Sequence, residues 1–182
     1  MRKVIVGLAV VAGLGLVAQA AVAQTAGARP AAAQGFGAGY MDIGPTVGFG
    51  SIAGANLAFG ARFEKFVRPL PTLGNGMLGI QVGATFYSYS NPYFKYKYIP
   101  IGATANYHFR LADPKIDPFL GLGLGFQIVT CSASAGYTCG GSALYFIGRA
   151  GVRYFFSPKM ALYADAGAGG AALNVGVMFK LK

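Results

Sequence analysis

The chain is poor in charged residues. They make up 11% of its 182 residues, whereas hydrophobic residues make up 54%, and soluble domains carry about 25% charged residues. After the first two dozen residues, however, no apolar run approaches the ~18–20 residues that a membrane-spanning helix needs. High hydropathy without a long apolar run is typical of a transmembrane β-barrel, in which lipid-facing and interior-facing residues alternate.

Cysteine and histidine are also scarce. The chain has two cysteines, Cys131 and Cys139, and one histidine, His108. A two-cysteine metal site would need more ligands nearby, and the histidine lies in another segment. In an oxidising compartment, the cysteine spacing favours a disulfide that closes a small loop. We therefore expect no metal and no cofactor.

The N-terminus has the three parts of a secretory signal peptide. A basic start (Arg2 and Lys3) precedes an apolar stretch over 4–18 and the small residues Ala21-Val22-Ala23. This order predicts a signal peptide over 1–23. A helical membrane anchor is the alternative, but the short apolar core and the A-x-A ending disfavour it. The Ala-, Gly- and Gln-rich residues 24–38 predict a flexible lead-in.

Strict alternation runs through the rest of the chain. In FLGLGLGFQI, over 119–128, Leu120, Leu122 and Leu124 fall on one face and glycines fall on the other. A period of two indicates an extended strand, because successive side chains of a strand point to opposite sides. We predict eight such strands, over 40–50, 55–66, 77–89, 97–110, 119–128, 143–156, 159–167 and 172–182.

Turn chemistry separates these segments. The predicted turns contain Pro69 and Pro71 with Gly74-Asn75-Gly76, Asn91-Pro92, Asp113-Pro114, Asp117-Pro118, Ser157-Pro158 and Gly169-Gly170. With both termini on one side of the membrane, the links on the outer side are 51–54, 88–98, 130–142 and 168–171, and 67–76 is a long link on the inner side.

A soluble barrel with an interior ligand cavity is the alternative fold, but it requires a polar face that water can solvate. Here glycine, amides and a few charges share that face throughout. The pattern therefore predicts an all-β, eight-stranded, antiparallel up-and-down transmembrane barrel over 39–182.

The C-terminal stretch NVGVMFKL resembles the assembly signal of outer-membrane barrels. Asn174, Gly176, Phe179 and Leu181 occupy the polar, glycine and two hydrophobic positions of that signal. With the leader and eight strands, the chain resembles the small outer-membrane β-barrels of the OmpA, OmpX and OmpW kind. The resemblance implies a location in the outer membrane of a Gram-negative-type bacterium. It also implies the outer-membrane assembly machinery and periplasmic chaperones as partners. We expect a monomer.

Charged residues on the predicted inner face are the first candidates for function. They are Arg62, Glu64, His108, Arg110, Arg149, Arg153, Asp165 and Lys180. An eight-stranded barrel is barely wide enough inside for its own side chains, so these residues predict an ion-paired plug, because unpaired buried charge is costly. The alternative is a gate whose pairs rearrange to pass small solutes. On either interpretation, Gly121, Gly123 and Gly125 leave room for arginine and tyrosine side chains that reach across from another wall.

The aromatic and basic stretch SYSNPYFKYKY, over 88–98, is the second candidate. Its tyrosines suit an interfacial girdle, and Lys95 and Lys97 could bind the phosphates of lipopolysaccharide. The net charge of +10 does not indicate nucleic-acid binding, because the basic residues are scattered and the chain is exported.

The sequence favours a non-enzymatic barrel with a structural role in the envelope, or a narrow, porin-like passive conduit. A barrel enzyme that modifies lipid is the rival function, but no serine and carboxylate partners can be assigned to His108. A carrier of small hydrophobic molecules, of the OmpW kind, is a further alternative. Tyr87, Tyr145, Ile147 and Phe155 could line its passage.

Overall fold

The computed structural model describes residues 37–52, 55–133 and 139–181. They form a closed barrel in which every strand is antiparallel to the next and β8 pairs with β1. The strands are β1 (Met41–Ile52), β2 (Ala55–Leu70), β3 (Gly76–Ser90), β4 (Phe94–His108), β5 (Ile116–Ala133), β6 (Ala143–Ser157), β7 (Met160–Ala168) and β8 (Leu173–Lys180). A 3-10 turn, Pro71–Leu73, follows β2. The predicted eight-stranded antiparallel barrel is confirmed.

The alternation of the sequence places large apolar side chains on the outside of the wall. Leu122 is 75% exposed and Phe146 is 83% exposed, and the adjoining strands carry exposed apolar side chains at the same height. A continuous apolar belt of this extent is incompatible with a water-facing surface and suits a lipid-facing one. No helix in the described part of the chain is long and apolar enough to cross a membrane.

The two ends of the barrel differ in their links. We call the end where β1 begins and β8 stops the terminal end, and its links are 71–75, 109–115 and 158–159. The opposite end, the loop end, is where β1, β3, β5 and β7 stop, and its described links are 91–93, 139–142 and 169–172. The strands also differ in length, from 18 residues in β5 to 8 in β8. Because about 9–11 tilted residues cross the apolar band, β5 extends well beyond it.

The predicted turn at Asp117-Pro118 is wrong and the one at 69–76 is shorter than predicted, because Pro118 and Pro69 lie inside strands. Asp117 and Pro118 belong to β5, where they pair with Arg153 and Val152 of β6. The Pro118 carbonyl accepts a hydrogen bond from the Phe109 N–H, just past the end of β4. Proline has no N–H to return the second hydrogen bond of this pair, and the strand tolerates that loss because the pairing of β5 with β4 ends here.

Pro69 is the second such proline. It lies in the last part of β2, which pairs with β3 alone, since the backbone hydrogen bonds on the β1 side end at Phe66, which bonds Tyr40 and Gly39. The predicted long inner link 67–76 therefore shrinks to 71–75. Its turn uses left-handed backbone at Gly74 (φ 75°) and Asn75 (φ 58°), which glycine and asparagine adopt most readily.

The predicted link 88–98 is also mostly strand. Only 91–93 connects β3 to β4. The Asn91 side-chain carbonyl accepts hydrogen bonds from the backbone N–H groups of Tyr93 (2.9 Å) and Phe94 (2.8 Å). This local bonding is how asparagine stabilises a tight turn.

Candidate functional site in the barrel lumen

The interior of the barrel contains most of the predicted charged residues. Six of the eight are buried inside it: Arg62, Glu64, His108, Arg149, Arg153 and Asp165. The other two, Arg110 and Lys180, are half-buried near the terminal end. Lys180 is the last residue of β8, and its Nζ lies 5.5 Å from the ring centroid of Tyr40.

The terminal half of the lumen is organised around one guanidinium. Arg153 donates from Nε (2.7 Å) and Nη2 (2.5 Å) to Asp117 Oδ2, and from Nη1 to Asp42 Oδ2 (2.5 Å) and Glu64 Oε2 (3.4 Å). His108 completes this Arg153 cluster. Its Nε2 lies 2.8 Å from Glu64 Oε1 and its Nδ1 lies 3.0 Å from Asp117 Oδ1. Both ring nitrogens are thus held by carboxylates.

Aromatic and thioether side chains close the space around the Arg153 cluster. The Arg153 guanidinium lies 4.9 Å from the ring centroid of Phe66, and the Tyr40 hydroxyl donates to Asp42 Oδ2 at 3.0 Å. Buried apolar side chains complete the layer: Tyr40, Phe66, Met77, Phe119, Phe155, Ala161, Tyr163 and Met178. Together these side chains fill the terminal half of the lumen at close packing, and we call them the packed layer.

The loop half of the lumen contains a second ion cluster, centred on a carboxylate. Asp165 Oδ1 accepts hydrogen bonds from Arg149 Nε (2.9 Å), Arg149 Nη2 and Asn174 Nδ2 (2.8 Å). Asp165 Oδ2 accepts from Arg62 Nη1 (3.3 Å) and from the Tyr163 hydroxyl. We call these five residues the Asp165 cluster. Two guanidinium groups share its single carboxylate.

A cavity of about 90 Å³ lies beside the Asp165 cluster. Its walls are mostly hydroxyls, amides and glycines, and at the loop end it reaches Gly169, Gly170 and Ala171 of the link 169–172. Of the four residues predicted to line a hydrophobic passage, Tyr87, Tyr145 and Ile147 line this cavity, whereas Phe155 belongs to the packed layer.

The tyrosines of β3 and β4 line the loop end of the lumen, which corrects the prediction of an outward girdle. Tyr87 and Tyr98 are buried and stacked, with ring centroids 4.7 Å apart, and Tyr96 stacks on Tyr98 at 5.5 Å. Tyr89 packs against the same group. Of the tyrosines assigned to the girdle, Tyr93 is exposed, in the turn.

The glycines of β5 leave room for a tyrosine, as predicted, but not for the predicted arginines. A Cβ at Gly121 would overlap the Asn106 amide, and one at Gly125 would overlap the Tyr145 ring. At Gly123 a Cβ would overlap the backbone of β4 at Ala103. The glycine face of β5 therefore leaves space, as the alternation indicates. The Asn106 amide, the Tyr145 ring and the backbone of β4 occupy that space.

Two other predicted features lie away from the lumen clusters. Lys95 and Lys97 are exposed on the outward face of β4, beyond Ile99 of the apolar belt. Cys131 and Cys139 form the expected disulfide, with a Cα–Cα distance of 5.8 Å, between the end of β5 and the link 139–142.

The residues of the assembly-signal pattern lie in and just after β8. Asn174 and Gly176 have their positions on the inner face, and Phe179 and Leu181 are exposed.

Comparison with known proteins identifies the fold. The attachment invasion locus protein Ail of Yersinia pestis aligns with a TM-score of 0.53 at 16% identity, over 78% of this chain and 93% of that one. OprG of Pseudomonas aeruginosa gives 0.53 at 13% identity, over 82% and 99%. The N-terminal barrel domain of OprF from the same species gives 0.53 at 16% identity, over 80% and 100%.

The fold is that of a small outer-membrane β-barrel. No protein-family model and no curated protein sequence matches the chain.

Sequence reasoning missed three members of the barrel's polar interior. Asp42 lies on the inner face of the predicted first strand, and this position could have identified it as a lumen residue. Asp117 was assigned to a turn because a proline follows it. Asn106 donates to Glu64 Oε1 at 2.7 Å and to Gln81 Oε1 at 3.1 Å, and its inward position in β4 follows from the same alternation as that of His108.

Proposed function

We propose that the protein is a non-enzymatic outer-membrane barrel that is sealed to solutes and has a structural role in the envelope of a Gram-negative-type bacterium. The observation that carries this proposal is the Arg153 cluster. Arg153, Glu64 and Asp42 have almost no exposed surface, and together with the surrounding rings they fill the terminal half of the lumen. A conduit would require these pairs to separate, and separating a buried pair is costly.

We take the division of the chain and its orientation in the membrane from the sequence. A signal peptide over 1–23 and a lead-in over 24–38 precede a barrel over 39–182. The signal peptide and most of the lead-in lie outside the described residues. The terminal end faces the periplasm, where the chaperones and assembly machinery act on the β8 pattern that contains Asn174, Gly176, Phe179 and Leu181. The mature protein is a monomer.

A non-enzymatic role is supported by the state of His108. Its two ring nitrogens contact Glu64 and Asp117, and its side chain is buried beside the packed layer. A general base must reach a proton of its substrate. A lipid outside the barrel has no access to this imidazole.

The contact with lipid is proposed at the loop end. Lys95 pairs across the sheet with Ser90 and Ser132, and Lys97 pairs with Ser88 and Thr130. Two ammonium groups thus stand among hydroxyls, directly above the apolar belt. This is the level at which the phosphates of outer-leaflet lipopolysaccharide lie, and each lysine contributes about 1 kcal/mol near an anionic membrane surface.

A swelling assay with proteoliposomes tests the sealed barrel. Vesicles that contain the refolded protein are diluted into isotonic arabinose, and light scattering follows swelling. We expect the rate of protein-free vesicles, whereas vesicles with an open porin swell at once. Arabinose-dependent swelling would overturn the proposal in favour of the passive conduit.

A further inference from the structure

The cavity in the loop half of the lumen carries an excess of positive charge. Arg62 and Arg149 line it together with one acidic residue, Asp165. The Asp165 carboxylate already accepts hydrogen bonds from Arg149, Arg62, Tyr163 and Asn174. Glu64 also interacts electrostatically with Arg62, but it is hydrogen-bonded within the Arg153 cluster. Among the described residues, Asp165 is thus the one carboxylate that is hydrogen-bonded to the two guanidinium groups, and incompletely paired buried charge is costly.

The two arginines differ in how fully they are hydrogen-bonded. Arg149 uses Nε and Nη2 on Asp165, and its Nη1 donates to the Ala171 carbonyl at 2.6 Å. Arg62 makes a 3.3 Å hydrogen bond to Asp165 from Nη1. Its Nε has no hydrogen-bond partner among the described residues, although the side chain is only 7% exposed.

A second polar atom of the same cavity lacks a partner. Thr104 Oγ1 is buried and has no hydrogen-bond partner among the described residues, and Thr104 and Arg62 line the same cavity. Most buried polar groups in folded proteins are hydrogen-bonded. A cationic N–H donor and a hydroxyl in one dead-end space are the groups that bind a small oxyanion.

We propose that this cavity is a binding site for a small oxyanion, such as inorganic phosphate, which Arg62 holds. The ligand enters at the loop end, past the small residues of the link 169–172, and the Arg153 cluster blocks it from going further. The volume of about 90 Å³ is several times what one water needs, which admits a phosphate but excludes a glycan or a whole lipid.

Nuclear magnetic resonance on the refolded, full barrel tests the site. The protein, in zwitterionic micelles, is titrated with sodium phosphate at constant ionic strength against sodium chloride, and the arginine Nε–H resonances are followed. We expect the Arg62 resonance, assigned by its loss in Arg62→Lys, to shift and saturate. A shift that is linear in concentration, or equal in chloride, would overturn the proposal.

Two substitutions place the site within the lumen. Arg62→Gln should weaken phosphate binding by about tenfold or more, since it removes a charge-assisted hydrogen bond. Because Arg62 also supports the Asp165 cluster, Thr85→Phe provides a second route. Thr85 lines the cavity, so a phenyl ring there should block phosphate without touching an ion pair. Wild-type affinity in Thr85→Phe would contradict the proposal.

Two further arms exclude other sources of the signal. Lys115→Gln with Lys159→Gln removes two exposed charges at the terminal end, and phosphate affinity should not change. Addition of purified lipopolysaccharide to phosphate-free micelles should leave the Arg62 resonance in place. A response to lipopolysaccharide without a response to phosphate, or loss of phosphate binding in Lys95→Gln with Lys97→Gln, would assign the anion to the outer face and overturn the proposal.

Discussion

Arg153 of β6 and Asp117 of β5 are directly paired across the sheet and joined by two hydrogen bonds, 2.7 Å from Nε and 2.5 Å from Nη2. The remaining guanidinium nitrogen contacts Asp42 of β1 and Glu64 of β2. Arg153 therefore connects opposite sides of the barrel wall through its interior. The cluster is thus a cross-brace of the fold, and in the proposed function it is also the seal of the lumen.

Removal of this guanidinium should destabilise the barrel strongly. Arg153→Met leaves three buried carboxylates without their main cation, and breaking a buried ion network by removing one partner costs about 3–5 kcal/mol. Urea unfolding in lipid vesicles measures the change, followed by the gel-mobility shift between folded and unfolded protein because the chain has no tryptophan. Lys159→Met, which removes an exposed cation, is the matched control and should change stability by less than about 0.5 kcal/mol. Equal effects of the two variants would contradict the role assigned to the cluster.

Two glycine substitutions test whether the inner face of β5 has no room for a Cβ. A Cβ at Gly123 would overlap the β4 backbone, whereas one at Gly148 meets only Leu122 Cδ2, at an ordinary 3.8 Å. Gly123→Ala should destabilise the barrel by about 1–3 kcal/mol, since backbone must move. Gly148→Ala should be neutral or stabilise it by about 0.4–1 kcal/mol, because the unfolded chain loses freedom. The same unfolding assay compares them, and the account fails at this point if Gly123→Ala is as stable as wild type.

Reduction of the Cys131–Cys139 disulfide should lower stability without opening the barrel. The cysteines are eight residues apart, and loop-closure entropy for a loop of that size gives about 2–3 kcal/mol. We expect a lower urea midpoint in dithiothreitol while the folded band on the gel remains. The double variant Cys131→Ser with Cys139→Ser should be insensitive to the reductant. A midpoint that is unchanged on reduction would show that the bond does not constrain the unfolded chain.

Lipopolysaccharide should copurify through the loop-end lysines. Lys95→Gln with Lys97→Gln removes the two cations above the apolar belt, so less lipopolysaccharide should remain per mole of barrel after detergent extraction. Lys115→Gln with Lys159→Gln removes the same charge at the terminal end and should leave the yield unchanged. Phosphate analysis of the purified protein measures both. Equal yields from the two double variants would exclude a specific role for Lys95 and Lys97.

The alternation of the sequence could predict the strands of the barrel and which of their side chains face the lumen, because a period of two fixes which side chains share a face. That is why Glu64, His108 and Asp165 could be placed inside before their partners were known. The partners themselves depend on register and on distance across the lumen. Arg153 and Asp42 are 111 residues apart in the chain, and no local pattern connects them.

The turn predicted at Asp117-Pro118 and the girdle predicted over 88–98 rest on local composition, which tertiary context overrides. Asp117-Pro118 has the composition of a turn, but the end of β4 leaves a place where a strand tolerates proline. On both sides of the turn, tyrosine alternates with serine (87–90) or lysine (95–98). This alternation indicates that the tyrosines share the inner face, where Tyr87 stacks on Tyr98. The aromatic and basic composition of 88–98 instead suggested a link with an outward girdle.

A single-channel recording in planar bilayers tests the sealed lumen most directly. Refolded wild-type protein is recorded beside Glu64→Gln and Asp165→Asn, each of which removes one carboxylate from a lumen cluster, and insertion is verified by the gel-mobility shift of protein recovered from the same vesicles. The account predicts no current steps above those of protein-free bilayers in any of the three. Steps that appear only in Glu64→Gln would identify the cluster as a gate. Steady single-channel steps in the wild-type protein would contradict the account.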